Sequence, residues 1–454
     1  MSKTILVLGA GRSSASLIEY LLSNATAHDW HIVVGDLAED MARARIGDHP
    51  RGTATRFDIA DEARSHIAIA AADVVISLMP AALHPQVARL CLALGKHLLT
   101  ASYVSADMKA LHAAALEKDL LFLNECGLDP GIDHMSAMAM IDSIRNVGGT
   151  FISFESFTGG LITPETDPEN PWRYKFTWNP RNVVTAGQST AKFLQDGVFK
   201  YIPYQQLFQR TTPVTVTTYD GADFKDHGTF EGYANRDSLH YIETYGLHGI
   251  STMLRGTLRY PGYCSTWNIL VQLGCCDDTY DLEDVDKMTH AQFISVFLDL
   301  APGEDPAQKI AELFHLAPSS PELQRIRWSG FFSDEPIGLV KATPAQVVEH
   351  ILNKKWKLNP QDKDLVVMVH RLIYKVGTIT HQNEVFLVVT GEDSLHTAMA
   401  KTVGLPLGVA TKLLLNGQIK QRGVQIPIVP ELYIPILAEL ANLGIRLTHT
   451  SSQP

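Results

Sequence analysis

Cysteine is scarce in this chain, and the few present form no pattern. Cys91, Cys126, Cys264, Cys275 and Cys276 are odd in number and contain no CxxC spacing. That argues against a disulfide framework and against a metal site, and it suits a reducing compartment. Positive charge is also short, with 38 Lys and Arg against 49 Asp and Glu and a formal net charge of -11. Bulk attraction to nucleic acid or to an anionic membrane is therefore not expected. An anionic small substrate is compatible with this balance if cations are gathered locally. No apolar run reads as long enough to span a bilayer, and no repeat or low-complexity tract is visible. The first strand pattern opens after three residues, which leaves no room for a signal peptide and predicts a cytoplasmic protein.

The rest of the composition is ordinary, with 45% apolar and 19% charged residues. A chain of 454 residues exceeds one compact core, so two or three domains are expected. Residues 3–126 alternate short apolar runs with helical patterns. Strands are predicted at Thr4–Leu8, His31–Gly35, Ala54–Phe57, Asp73–Leu78, His97–Thr100 and Leu120–Leu123. Helices are predicted at Ser14–Leu22, Pro85–Leu94 and Ala106–Glu117. Continuous apolar strands separated by helices indicate a parallel sheet covered on both faces. Six strands in this rhythm match an α/β fold of the Rossmann type.

The pattern changes after about residue 150. Residues 150–160 and 210–235 carry alternating Thr, Val, Phe and Tyr, as in antiparallel strands. Between them, Thr163–Arg181 is irregular and long enough to be functional. From about 280 to 355 the chain reads as helical and polar. Strand patterns return at Asp364–Val376 and Glu384–Gly391, and residues 394–415 predict a long buried helix.

Two turns carry the chemistry. Gly9-Ala10-Gly11-Arg12-Ser13-Ser14 lies between the first strand and the first helix and departs from G-x-G-x-x-G only at its last position. Gly9 permits the tight turn, Gly11 lets a pyrophosphate approach the backbone, and N–H groups from Arg12 and Ser13 onward can bind its charge. Asp36 ends the second strand, where a carboxylate can hold the ribose diol of NAD. Arg43 and Arg45 follow and can reach a phosphate, so NAD is preferred and NADP is possible. Asp58 and Ile59 follow the third strand. Ser77, Leu78 and Met79 end the fourth strand, and Ala101 and Ser102 follow the fifth. All should lie along the dinucleotide, because ligands bind at the carboxyl ends of parallel strands. The second turn is Asn124-Glu125-Cys126-Gly127-Leu128-Asp129-Pro130-Gly131-Ile132-Asp133-His134. It joins a strand to a helix and delivers carboxylates. Asp133 reads as a helix N-cap and His134 as a helix residue rather than a metal ligand.

At these residues the chain resembles a known family. "LLTASYVSADM", "NECGLDPGIDHMSAM", "GGLITPE", "NPWRYKFTWNPRNV", "YANRDSLHYIETYG", "LRGTLRYPGYC" and "TAMAKTVGLPLGVATKLLLNG" together are similar to saccharopine dehydrogenases of the glutamate-forming type. The resemblance implies three parts. They are a Rossmann domain over 1–129 completed by C-terminal helices over about 392–454, a mixed-sheet substrate and dimerisation domain over 130–280 and about 356–391, and a small helical domain over about 281–355. It implies oxidation of saccharopine to glutamate and 2-aminoadipate semialdehyde, by a homodimer. It also implies site residues. Asp129 and Tyr103 are candidates for acid/base work, with Ser102, Arg236, Thr257, Leu258 and Arg259 at the substrate. Leu128, Pro130 and Trp178 lie near the cofactor, and Lys175 and Arg173 add positive charge there. A related imine-reducing enzyme such as carboxynorspermidine dehydrogenase, or an NAD-binding redox sensor without turnover, are the competing readings.

Overall fold

A computed structural model of the chain describes residues 2–186, 188–220 and 223–453. In chain order the strands are β1 (Lys3–Leu8), β2 (Trp30–Asp36), β3 (Gly52–Arg56), β4 (Val74–Ser77), β5 (His97–Thr100), β6 (Leu121–Leu123), β7 (Thr150–Ile162) and β8 (Ala191–Gln195). They continue as β9 (Val198–Ile202), β10 (Thr211–Asp220), β11 (Asp223–Ala234), β12 (Thr252–Arg259), β13 (Asp364–Val376), β14 (Ile379–Thr390), β15 (Gly423–Gln425) and β16 (Leu447–Ser452). The chain divides into two compact units, Met1–Gly148 with Leu387–Leu447, and Gly149–Phe386 with Thr448–Pro454.

The first unit holds a seven-stranded sheet in the order β15-β6-β5-β4-β1-β2-β3. Every pairing in it is parallel. β1 is central, with Leu6 in register with Val33 on one side and Val75 on the other. Its residues Ile5 to Leu8 are fully enclosed, which is why β1 reads as an unbroken apolar run rather than an alternating one. Strands 3-2-1-4-5-6 in that order are the Rossmann arrangement expected from the sequence. β15 adds a seventh strand that the sequence pattern does not reveal, because three residues, Gly-Val-Gln, carry no periodicity. Where one helix was expected over Ala106–Glu117, two short ones form, Ala106–Lys109 and His112–Glu117.

The helix Ala398–Leu415 is long and apolar enough to cross a membrane, which corrects the expectation that no such run exists. Most of it is buried, and it lies against the helix Ala15–Ala25. Glycine makes that approach possible: a Cβ on Gly408 would come within 2.6 Å of the Tyr20 ring. A helical glycine costs about 1 kcal/mol relative to alanine, and here close packing offsets that cost.

The second unit holds a nine-stranded mixed sheet. Its main path is β10-β11-β12-β7-β13-β14-β16, with β8 pairing to β12 and β9 to β8. β12 and β7 are parallel, whereas β7 with β13, β11 with β12 and β10 with β11 are antiparallel. The irregular segment Thr163–Arg181 is anchored by aromatic packing. Trp172, Tyr174 and Phe176 are fully buried, and their rings meet Tyr263, Trp267 and Trp356 at centroid distances of 4.9–6.1 Å. The Trp172 indole N–H donates to Ser329 Oγ at 2.9 Å. Between 281 and 355 the helices His290–Ser295 and Pro344–Trp356 each start at a capping box, Thr289 with Gln292 and Thr343 with Gln346.

Lys175, expected as a charge near the cofactor, is instead structural. It is 1% exposed and pairs with Asp362 at 2.7 Å and Asp167 at 2.9 Å. Removing one partner of a buried ion set leaves the others uncompensated. Lys175→Met should therefore destabilise the protein by about 3 kcal/mol, read as a lower urea midpoint, whereas an unchanged midpoint would show the pair to be idle.

Candidate active site

The glycine-rich turn closes as the sequence requires. Gly9 has φ +103°, and a Cβ there would stand 3.1 Å from the Leu78 carbonyl oxygen. The Gly9 N–H donates to the Gly35 carbonyl at 2.8 Å, joining the ends of β1 and β2. Asp36 accepts from the Ala10 N–H at 2.7 Å through one oxygen and from the Ala38 N–H at 3.0 Å through the other. The carboxylate thus holds the turn through both of its oxygens. A Cβ on Gly11 would meet nothing within 4 Å, so the outer face of the turn is open. Arg12 and Ser13 begin the first helical turn beyond it. Arg45 reaches back with Nε 3.3 Å from the Ala10 carbonyl, while Arg43 is occupied by Glu39. An open glycine turn, a carboxylate at the end of β2 and a guanidinium beside them fit a dinucleotide. Asp58 accepts from the Ala60 N–H in a local turn, the Ile59 side chain belongs to the core, and Leu78 and Met79 leave β4 beside Leu8.

A buried imidazole ties the ends of β4 and β5. His84 Nδ1 lies 3.0 Å from Ser77 Oγ, and Nε2 lies 2.8 Å from Ser102 Oγ and 3.1 Å from Thr100 Oγ1. The ring is buried among hydroxyls, and burial pushes its pKa down to about 4. It is neutral at pH 7 and fixes Ser77 and Ser102 relative to each other.

The next segment brings the two acid/base candidates together. The Tyr103 hydroxyl donates to Asp129 Oδ1 at 3.1 Å. Asp129 lies in a turn whose Gly127 N–H donates to the Pro130 carbonyl, and the Asp129–Pro130 peptide is cis. A Cβ on Gly131 would stand 2.0 Å from the Gly127 carbonyl oxygen, so only glycine closes this turn. Gly131, not Asp133, caps the helix Ile132–Asn146. Asp133 instead accepts from the Gly131 N–H at 2.5 Å, because its side chain folds back from the first helical turn. His134 is fully buried, with Nε2 2.7 Å from Glu125 Oε2. Leu128 and Pro130 are buried with the turn, and Ala101 packs beside it, 2.9 Å from where a Cβ on Gly127 would lie.

In the second unit Arg259 ends β12 and is 3% exposed. Its guanidinium sits 5.1 Å from the Tyr174 ring, 5.2 Å from Tyr263 and 5.8 Å from Tyr233. Nη1 donates to the Leu258 carbonyl at 2.8 Å, and Nε has no partner. Among the described residues no carboxylate pairs with it. Burial raises the Tyr263 phenol well above its ordinary value, so the surrounding ring is neutral. Glu231 is the register partner of Arg259 on β11 but spends its carboxylate on the Gly262 and Cys264 N–H groups, and a buried cation held among neutral rings without a paired carboxylate is costly unless an anion is supplied. Thr257 pairs in register with Tyr233, and Leu258 is buried. Arg236 is exposed after β11 with φ +50°, Arg173 is exposed with its guanidinium 5.8 Å from the Tyr260 ring, and Trp178 is half-buried.

Residues 5–123 match the family described as the saccharopine dehydrogenase NADP binding domain, and 127–445 match the saccharopine dehydrogenase C-terminal domain. The chain belongs to the saccharopine dehydrogenase family. It is 31% identical over 453 residues to a saccharopine dehydrogenase [NADP(+), L-glutamate-forming] of Schizosaccharomyces pombe, covering 98% of each chain. A solved apo saccharopine dehydrogenase (L-Glu forming) from Saccharomyces cerevisiae superposes with a TM-score of 0.85 at 30% identity, over 99% of this chain and 100% of that one. A mitochondrial alpha-aminoadipic semialdehyde synthase of Bos taurus is 33% identical over 99% of this chain, and the chain spans 48% of that protein's length. About half of the length of such longer members is therefore represented here.

Sequence reading missed His84, Glu125 and the tyrosines around Arg259. His84 follows Ser77 by seven residues across a turn, a spacing with no periodic meaning. Tyr174, Tyr233 and Tyr263 come from three distant segments; each lies in one of the quoted motifs, but nothing in the spacing of the motifs says that they meet around Arg259. His84 carries a consequence for stability. Its folded pKa lies below the unfolded value of 6.5, so the unfolded chain takes the proton first as pH falls. The stabilisation is present above pH 6.5 and is lost towards pH 4, by up to about 3 kcal/mol. Denaturant unfolding at pH 7.5 and pH 5 should show His84→Gln with a shallower loss than the parent; parallel slopes would contradict a neutral buried ring.

Proposed function

We propose that this protein is a glutamate-forming saccharopine dehydrogenase, oxidising saccharopine to glutamate and 2-aminoadipate semialdehyde and running the reductive condensation in reverse. The observation that carries the reading is Arg259, a buried guanidinium among neutral tyrosines that calls for an anion, such as a substrate carboxylate. The names of family members that match the chain throughout its length support the same reaction. The dinucleotide, when bound, accepts a hydride. We propose NADP as that acceptor, supported by the named relatives and by Arg45 beside the glycine turn. On the sequence alone, Asp36 ranked NAD first and NADP second. Initial rates with both dinucleotides check this order.

The chain's own groups divide the remaining work. Asp129 takes the extra proton from the protonated secondary amine and releases it to solvent, and loss of hydride from the C–H bond of the neutral amine then leaves a C=N–H iminium. Asp129, again ionised, draws a proton from the water that adds to the imine carbon and passes it to nitrogen; it then takes the hydroxyl proton of the carbinolamine as the C–N bond breaks to the aldehyde, and gives that proton to the departing amine. Its charge favours the cationic iminium. Tyr103 orients it through the 3.1 Å hydrogen bond. Ser102, Thr257, Leu258 and Arg236 complete the proposed substrate contacts. The proposal keeps the three-part division of dinucleotide, mixed-sheet and helical parts, and a cytoplasmic location that suits five free, buried cysteines. It also keeps a homodimer, for which exposed Val198, Phe199 and Tyr201 on β9 offer an apolar edge.

Two variants test the roles against the parent's NADPH formation from saccharopine. Asp129→Asn should stay folded, bind the dinucleotide and lose about 10²–10⁴-fold in turnover. Near-normal turnover across pH would reduce Asp129 to a turn residue. Arg259→Lys should raise KM for saccharopine while dinucleotide affinity holds, because an ammonium cannot reproduce a planar fork held against tyrosine faces. An unaltered KM would remove Arg259 from the substrate.

A further inference from the structure

We propose that Glu125 is a positioning residue that sets the Tyr103–Asp129 pair through a buried bridge to His134. The inference rests on the function proposed above. Glu125 follows β6 by two residues, is 5% exposed and has φ +55°. A left-handed backbone at a non-glycine residue costs on the order of 1 kcal/mol or more. Burying a carboxylate adds a desolvation cost. Both costs fall on one residue. Strained and charged positions persist where the surroundings over-determine them, and such positions cluster at functional sites.

The N–H and both carboxylate oxygens of Glu125 have partners that bear on the pair. Its N–H donates to the Ser102 carbonyl at 3.1 Å, and Oε1 accepts from the Val104 N–H at 2.9 Å. Tyr103 is the residue between these two anchors. Oε2 lies 2.7 Å from His134 Nε2, in the first turn of the helix Ile132–Asn146. That turn is joined to the Asp129 loop, because the Ile132 N–H donates to the Gly127 carbonyl at 2.8 Å and the Asp133 N–H to the Leu128 carbonyl at 3.0 Å. One side chain therefore holds the segment bearing Tyr103 and, through His134, the segment bearing Asp129. Tyr103 and Asp129 meet where those two segments converge.

The test is a double-mutant cycle on the whole protein with saccharopine and NADP. Glu125→Gln preserves size and one oxygen for the Val104 N–H, and it removes the charge facing His134. We expect kcat to fall about 10–100-fold, with KM for saccharopine and Kd for NADPH within about 3-fold of the parent. In a Tyr103→Phe background the same change should cost less than about 3-fold, because the pair being positioned is already broken. If Glu125→Gln does not fold, His134→Gln breaks the bridge from the helix side and enters the same cycle. Equal losses in the two backgrounds, or a loss confined to thermal stability or to Kd, would overturn the proposal. A parent protein without saccharopine turnover would instead overturn the function on which it rests.

Discussion

Parallel pairing governs the first unit. β1 pairs with β2 on one side and β4 on the other, and its side chains from Ile5 to Leu8 are enclosed on both faces. Such a sheet leaves polar chemistry one place to gather, the turns beyond the carboxyl ends of its strands. Gly9, Asp36, Ser77, Ser102 and Asp129 all lie in or next to those turns. The hydrogen bonds described there join one turn to the next: Gly9 to Gly35, Ser77 through His84 to Ser102, and Ser102 through Glu125 to Val104 and His134. The strands supply the spacing, and this chain of contacts converts spacing into orientation.

The second unit solves a different problem, which is how to keep charge inside an aromatic core. Lys175 does so by direct compensation, with two carboxylates. Arg259 is given rings and a carbonyl but no carboxylate among the described residues. Tyr174 links the two, since it neighbours Lys175 in sequence and Arg259 in space. The two buried cations thus differ in whether the counter-charge is built in.

What could be read from the sequence follows from how local each cause is. Strands β1, β4, β5 and β6 were legible because burial writes itself as short apolar runs. Gly9 and Asp129 were legible because tight turns demand particular residues at adjacent positions. The C-terminal sheet partner β15 was not, since three residues gain their strand character only from β6. Asp133 was misread because capping preferences describe typical helix starts, and here a glycine that alone fits between backbone atoms takes the cap. The tyrosines around Arg259 and the hydroxyls around His84 depend on tertiary proximity, which no spacing along the chain records. Lys175 looked like a loop cation because its two partners are separated from each other by nearly two hundred residues.

The late arrival of β15 has a consequence for how the molecule is made. Its Val424 pairs with Phe122, roughly three hundred residues earlier in the chain. During synthesis the strands β1 to β6 emerge long before their last neighbour, so the flank of β6 stands as an open edge for most of translation. An unpaired edge invites pairing with other chains. The helices Ala398–Leu415 and Pro430–Asn442, which flank β15 in the chain, emerge just as late. Nascent chains of this architecture must therefore wait for their C-terminal segment, and ribosome pausing between the two halves would prolong exposure to aggregation.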